Sequence, residues 1–339
     1  MKRIILPTIA TIFLLGCQQQ EVEAPEPTSS VEEEVVTQTV NVSEEEFRFV
    51  AGWLDDQTIG FVVHQEEEDR LQTFNIVTGE VETLYTNPAI ISEVLIHPSK
   101  QQFLVKTADK STEANIIVFT NEAQVLDELV VESSELEINW NPVDPSELLL
   151  SAFADDWSYQ MYLYDAKEQA VTPITLADPF PQWLGGKDVV YIEDTALVKE
   201  TLETNEKKIL APEANQFHAS STQLLLVVFE DETSNYKLFD VEGEEISTWI
   251  SEDPTQVVEN VEMIDEDNII MSTTNQTSAT PTAFVHHVQH SKEVKRYEVD
   301  IESSLLSCAS AYTCLTGNRF ETLLQLETGE TVDWLIINE

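Results

Sequence analysis

The stretch Leu71-Gln72-Thr73-Phe74-Asn75-Ile76-Val77-Thr78-Gly79-Glu80-Val81-Glu82-Thr83-Leu84-Tyr85 reads as two β-strands joined by a tight turn at Thr78-Gly79-Glu80. Its flanks alternate apolar and polar residues, the pattern of a strand with two different faces, and a glycine between them supplies a turn conformation at no steric cost. Turns of the same kind recur at Asn121-Glu122, Asp165-Ala166-Lys167, Asn205-Glu206, Glu242-Gly243-Glu244, Ser291-Lys292-Glu293 and Thr328-Gly329-Glu330. The spacing is about 40 residues, the length of one propeller blade. Each turn then joins the third and the outer strand of a four-stranded antiparallel blade.

Two more strands are expected upstream of each pair. They are clearest in Glu93-Val94-Leu95-Ile96-His97-Pro98-Ser99-Lys100-Gln101-Gln102-Phe103-Leu104-Val105, where Pro98 starts a turn between apolar runs. This hairpin resembles the repeats of TolB-related propellers, with His97-Pro98-Ser99-Lys100 in the turn. Weaker copies run from Trp140-Asn141-Pro142 into Leu148-Leu149-Leu150 and from Trp183-Leu184-Gly185-Gly186 into Val189-Val190-Tyr191. Beyond Val35 there is hardly any helical periodicity, so the fold class is all-β. Seven units are expected, starting near Phe47, Glu93, Leu136, Pro181, Gln216, Val258 and Leu305, the last of them short. The alternatives are a six-bladed ring and a β-sandwich pair. The alternating run Val35–Val42 is either a closing strand that pairs with the final blade or the end of a tether.

The N-terminus reads as a lipoprotein signal peptide over residues 1–16: Lys2 and Arg3, a mostly apolar run from Ile4 to Leu15, then small Gly16 before Cys17. The run is too short to span a bilayer, which takes about 20 residues. In the lipoprotein family that Leu14-Leu15-Gly16-Cys17 resembles, Cys17 receives a diacylglyceryl group and becomes the first mature residue. Two acyl chains anchor stably where one binds reversibly. The alternative is an ordinary secretory signal with a cysteine at its cleavage site. Residues 17–34, rich in Gln, Glu and Pro, read as a disordered acidic tether leading to a propeller over 35–339. The expected location is the extracytoplasmic face of the cell membrane.

The chain carries 63 acidic and 17 basic residues, a formal charge of -46. Nucleic acid is excluded as a partner by this charge, and so is electrostatic docking on anionic lipid, leaving an acyl anchor as the membrane contact. Acidity of this degree favours solubility of an exported surface, with a cationic ligand as the other use. Apart from Cys17 the cysteines are Cys308 and Cys314, six apart, and are expected to form a structural disulfide across a tight hairpin. A redox pair has two intervening residues.

No catalytic residue, metal site or cofactor is indicated. The densest histidine group is His286-His287-Val288-Gln289-His290, but in a strand His286 and His287 point to opposite faces and His286 and His290 stand roughly 13 Å apart. The segment reads as a solvated strand. There is no Gly-x-Ser-x-Gly elbow. The candidate binding residues are Asp155, Asp156, Trp157 and Tyr159, two acids and two aromatics in one connection, and Trp183 with Phe180-Pro181-Gln182 before it. Their competing role is as wedges between blades.

Three stretches, Trp140-Asn141-Pro142, Phe153 through Asp165, and Pro179-Phe180-Pro181-Gln182-Trp183, resemble the YqgU-like lipoproteins of Bacillus and relatives. The resemblance implies a β-propeller, described for that family as six-bladed, and brings no assigned activity. The expected function is therefore a membrane-anchored monomeric module that binds an envelope protein or a small ligand. The alternative is an envelope hydrolase or lyase whose site is built from carboxylates at the propeller channel.

Overall fold

The computed structural model describes residues 37–230, 233–251, 256–275, 282–299 and 304–338. The signal peptide, Cys17 and the tether lie outside these residues, as do Val35 and Val36. Strand β1 (Val40–Ser43) precedes the first blade. Blade 1 takes β2–β5 (Phe47–Trp53, Thr58–Gln65, Glu68–Asn75, Val81–Asn87) and blade 2 takes β6–β9 (Ile90–Ile96, Gln102–Lys110, Glu113–Thr120, Val125–Glu132). Blade 3 takes β10–β13 (Glu135–Trp140, Glu147–Phe153, Tyr159–Asp165, Ala170–Ile174) and blade 4 takes β14–β17 (Gln182–Leu184, Asp188–Glu193, Ala196–Thr201, Glu206–Ala211). Blade 5 takes β18–β21 (Gln216–Ala219, Gln223–Glu230, Thr233–Asp240, Glu245–Ile250) and blade 6 takes β22–β25 (Val257–Met263, Asn268–Asn275, Thr282–Gln289, Lys292–Val299). Blade 7 takes β26–β29 (Ser307–Cys308, Thr313–Thr316, Thr322–Gln325, Thr331–Asp333), and β30 (Leu335–Asn338) ends the chain.

The propeller is seven-bladed. Each blade is a four-stranded antiparallel sheet of consecutive strands, and blade 7 has the short strands expected of the last unit. Burial follows strand position. Second strands, covered on both faces by neighbouring blades, are almost continuously buried, as in β11 and β23. Third strands β4, β8 and β20 repeat one alternation, while outer strands such as β9 and β21 stay largely exposed. Seven apolar clusters result, each shared by two adjacent blades, including one that joins blade 7 to blade 1.

All seven turns between third and outer strands contain a left-handed residue: Gly79, Gly243 and Gly329 at φ 75°, 77° and 77°, and Ala123, Gln169, Asn205 and Ser291 between 50° and 60° in the other four. Only glycine adopts that conformation without strain, so the repeat is sharpest where glycine has been kept.

The ring closes differently from expectation. The N-terminal run does not extend the final blade; β1 pairs with β30 in a separate parallel two-stranded sheet, with Val40 opposite Leu335 and Ser43 opposite Asn338. Blade 7 is already complete with β29, and β30 turns away from it through Trp334. That side chain is fully buried, stacks on Phe74 at 5.7 Å, meets Phe61 edge-on at 6.1 Å, and donates from Nε1 to the Phe320 carbonyl at 2.6 Å. Trp53 Nε1 donates to the Ser307 carbonyl at 2.8 Å, and Arg319 forks onto Glu44 at 2.6 and 2.8 Å. Cys308 and Cys314 sit opposite each other in β26 and β27 and are disulfide-bonded.

Candidate functional site

Chain direction alternates along a blade, so the turns between second and third strands lie on the same face of the ring as the links from one blade to the next. In blade 3 that turn is Ala154–Ser158. Asp156 Oδ1 accepts the Ser158 amide at 3.0 Å and its hydroxyl at 2.6 Å, and the Trp157 amide donates to the Ala154 carbonyl at 2.9 Å. The two Ser158 hydrogen bonds, the hydroxyl first, hold the Asp156 carboxyl below its ordinary range. Asp155 accepts the Ser134 hydroxyl, from the link between blades 2 and 3, at 2.5 Å.

These bonds place Trp157 at φ 64°, in the left-handed region that bulky residues avoid, with 75% of its surface exposed. Trp157 is therefore no wedge between blades. Beneath it lies buried Phe153, with ring centroids 6.2 Å from Trp157, 5.8 Å from Tyr159 and 5.7 Å from Phe180. Phe180, 57% exposed, comes from the link between blades 3 and 4, which Ser151 fastens by donating to the Pro179 carbonyl at 2.7 Å. Beside the aromatics a cleft of about 480 Å3 opens between blades 2 and 3, lined by Glu113, Glu132, Ser134, Phe153, Tyr159 and Tyr162 among others.

Asp155, Asp156, Trp157 and Tyr159 thus share one surface with Phe180. Trp183 does not join them: it is 3% exposed, packs between blades 3 and 4, and donates from Nε1 to the Asn139 carbonyl at 3.1 Å. A tryptophan beside a proline-aromatic motif has the same appearance in sequence whether it points out of a loop or into a junction.

A second cavity, of about 570 Å3, lies on the axis, lined by inner strands of blades 3 to 6 and the turn of blade 2; Asn139, Gln182, His218, Ser220, Glu262 and Met263 face it. Burial pushes the Glu262 carboxyl up to about 7, with the Lys100 charge pulling the other way. Burial also lowers the Lys100 ammonium, which donates to the Trp53 carbonyl at 2.8 Å, and holds His218 down at about 4. His218 Nε2 has no hydrogen-bond partner among the described residues.

Glu262 and His218 were not singled out by motif. A bulge between Val258 and Asn260 shifts the parity of β22: counting by two would put Glu262 on the face of buried Val258, and the shift turns it to the opposite face.

Two other histidines, His97 and His286, are structural. His97 is buried and bridges two blades, its Nε2 donating to the Asn141 carbonyl at 2.9 Å while Nδ1 accepts the Ser99 amide. His286 is not solvated as its strand suggested: it is 4% exposed, accepts the Thr273 hydroxyl at 2.8 Å and donates to Glu293 at 2.5 Å. Hydroxyl, imidazole and carboxylate follow one another as in a nucleophile relay, but Thr273 is 1% exposed and out of reach of a substrate.

Among known proteins, the family model described as YqgU-like 6-bladed beta propeller domain matches residues 75–258. The uncharacterized lipoprotein YqgU of Bacillus subtilis (strain 168) is 24% identical over 192 residues, covering 56% of this chain but only 53% of that relative. The crystal structure of the uncharacterized protein lmo1340 from Listeria monocytogenes EGD-e superposes with a TM-score of 0.79, at 15% identity, over 89% of this chain and 98% of that one. TolB from Acinetobacter baumannii aligns at 16% identity with a TM-score of 0.40, over 61% of this chain and 55% of its own. The six blades in the family description differ from the seven sheets found in this chain.

Proposed function

This chain belongs to the YqgU-like family of β-propeller domains, and from that premise we propose that it is a binding module held at the outer face of the cell membrane by a diacylglyceryl group on Cys17. The lipoprotein name of the Bacillus subtilis relative supports the anchor, together with the Gly16-Cys17 pair that follows an apolar run. Replacing Cys17 by Ala should release the protein from the membrane fraction; unchanged retention would overturn the anchor.

The observation that carries the binding role is Trp157, 75% exposed on a strained backbone, seated on Phe153 and flanked by Tyr159 and Phe180 at the edge of a cleft. Strain and exposed aromatic surface both cost stability and gather where a surface meets a ligand. Asp155, Asp156, Glu113 and Glu132 ring the same place, so the complement is a cationic small ligand or the basic face of an envelope protein. Cross-linking in intact cells, with mass spectrometry of the captured species, should identify a partner that disappears with the double variant Trp157→Ala and Phe180→Ala. An identical capture profile for that variant would sink the reading.

A second reading rests on Glu262. A carboxyl that titrates near 7 in an axial cavity is suited to general acid-base work, and it favours the alternative of a channel hydrolase or lyase. An activity on envelope-derived glycans lost in Glu262→Gln would establish it; none would leave the channel to binding.

A further inference from the structure

The most basic stretch in the chain is Lys292-Glu293-Val294-Lys295-Arg296 on β25. Lys295 is engaged by the Leu326 and Glu327 carbonyls of blade 7 at 3.2 and 2.9 Å. Lys292 and Arg296 line a groove of about 290 Å3 between blades 5 and 6. Nine of the described Lys and Arg residues pair with a carboxylate within 4.0 Å, and neither Lys292 nor Arg296 is among them. In a chain with 63 acidic residues, Lys292 and Arg296 stand at one groove with no carboxylate within 4.0 Å among the described residues.

The same groove holds an unmet donor. Gln256 is 2% exposed, lines the groove, and its Nε2 has no partner among the described residues. A buried amide left unbonded costs about 1–3 kcal/mol, so a small shift of this side chain that lets a groove ligand accept from Nε2 is favoured. The wall is apolar: Tyr236 and Trp249 stack at 5.3 Å with 21° between their planes. The Arg296 guanidinium is set over the Phe284 ring at 4.0 Å, which fixes its plane. Among the described residues Glu293 is the one carboxylate lining the groove, and one of its oxygens is taken by His286 Nδ1.

We propose that this groove is a site for a small organic anion, whose carboxylate or phosphoryl oxygens meet Lys292, Arg296 and Gln256 Nε2 and whose flat apolar body lies on the Tyr236–Trp249 stack. The field of the whole molecule repels anions, so capture here depends on local donors rather than on general attraction. Arg296 supplies a planar two-donor fork and Lys292 a mobile point charge, the combination that holds an oxyanion against a ring.

Trp249 fluorescence in the mature chain, titrated with phenyl phosphate, benzoate and inorganic phosphate, tests this. Saturable binding of phenyl phosphate or benzoate is expected, the tighter of the two naming the headgroup. The double variant Lys292→Gln and Arg296→Gln should lose about tenfold or more. Glu293→Gln should bind several-fold tighter, a gain that a misfolded variant does not give. The proposal is overturned if neither aromatic anion saturates, or if the double variant binds like the unaltered chain. It is equally overturned if inorganic phosphate binds as tightly as phenyl phosphate, which would leave an adventitious ion only.

Discussion

Trp334 and Trp157 are the same residue in opposite situations. Trp334 is fully buried at the seam between the last blade and the first, stacked on Phe74 and hydrogen-bonded to Phe320. Trp157 stands 75% exposed on a left-handed turn, meeting Phe153 in an edge-to-face contact. The first contributes to stability through lost water contact and dense packing; the second gains little from folding. An aromatic residue points to recognition only where the fold has left it uncovered.

The contrast is broken most directly at the seam. Trp334→Ala should destabilise by about 3–5 kcal/mol, the cost of emptying a large buried site, read from the shift in a chemical denaturation midpoint. A loss under about 1 kcal/mol would mean that ring closure does not depend on the seam. Next in size is the disulfide of blade 7, whose strands are short. Cys308→Ser with Cys314→Ser should cost about 2 kcal/mol on the loop-entropy scale, and an unchanged midpoint would show that the Leu324 and Leu326 packing holds the blade alone.

The axial cavity extends the comparison to charge. Glu262, raised to about 7 from an ordinary 4.5, keeps a proton in the folded state that the unfolded chain gives up. Its contribution to stability is present below pH 4.5 and lost as pH rises through 7. His218, lowered to about 4 from 6.5, acts in the other direction: its contribution is present above pH 6.5 and lost as pH falls through 4. The two slopes oppose each other between pH 4.5 and 6.5. Relative to the unaltered chain, Glu262→Gln should therefore gain stability as pH is raised and His218→Gln should gain as it is lowered, each by about 1 kcal/mol after allowance for solvent. Two flat difference curves would mean that water fills the cavity.

The smallest effect on stability is expected at the loop. Trp157→Ala should leave the midpoint within about 0.5 kcal/mol while removing the partner captured in cells. A loss of stability comparable to that at Trp334 would place Trp157 with the core and take away the reason for assigning it a binding role.

Legibility followed the same division. Blade boundaries could be read to within three residues, from Phe47 for β2 to Leu305 against Ser307 for β26, because every third-to-outer turn needs a left-handed residue and three of them kept glycine. The pairing of β1 was not legible, since Val40–Ser43 alternates in the same way whether its partner is β29 or β30. Nor was the axial site: the bulge in β22 reverses the faces of the residues beyond it, and Glu262 resembles any of the other acidic residues until that shift is seen. Asp155 through Tyr159 could be singled out as unusual, but sequence could not tell that Phe180 joins them while Trp183 turns inward, because that depends on how the link between two blades is fastened at Pro179.

The β1–β30 pair lies outside all seven sheets, and no blade borrows a strand from the far end of the chain. A ring sealed by exchanging strands between its termini must preserve the fit of a composite sheet whenever its size changes. Here each blade is one uninterrupted cassette and the clasp is a separate part. Duplication or loss of a single segment of about 40 residues in the corresponding gene would add or remove a whole blade and leave the join as it was. A family described as six-bladed and a chain with seven blades can then differ by a single in-frame event.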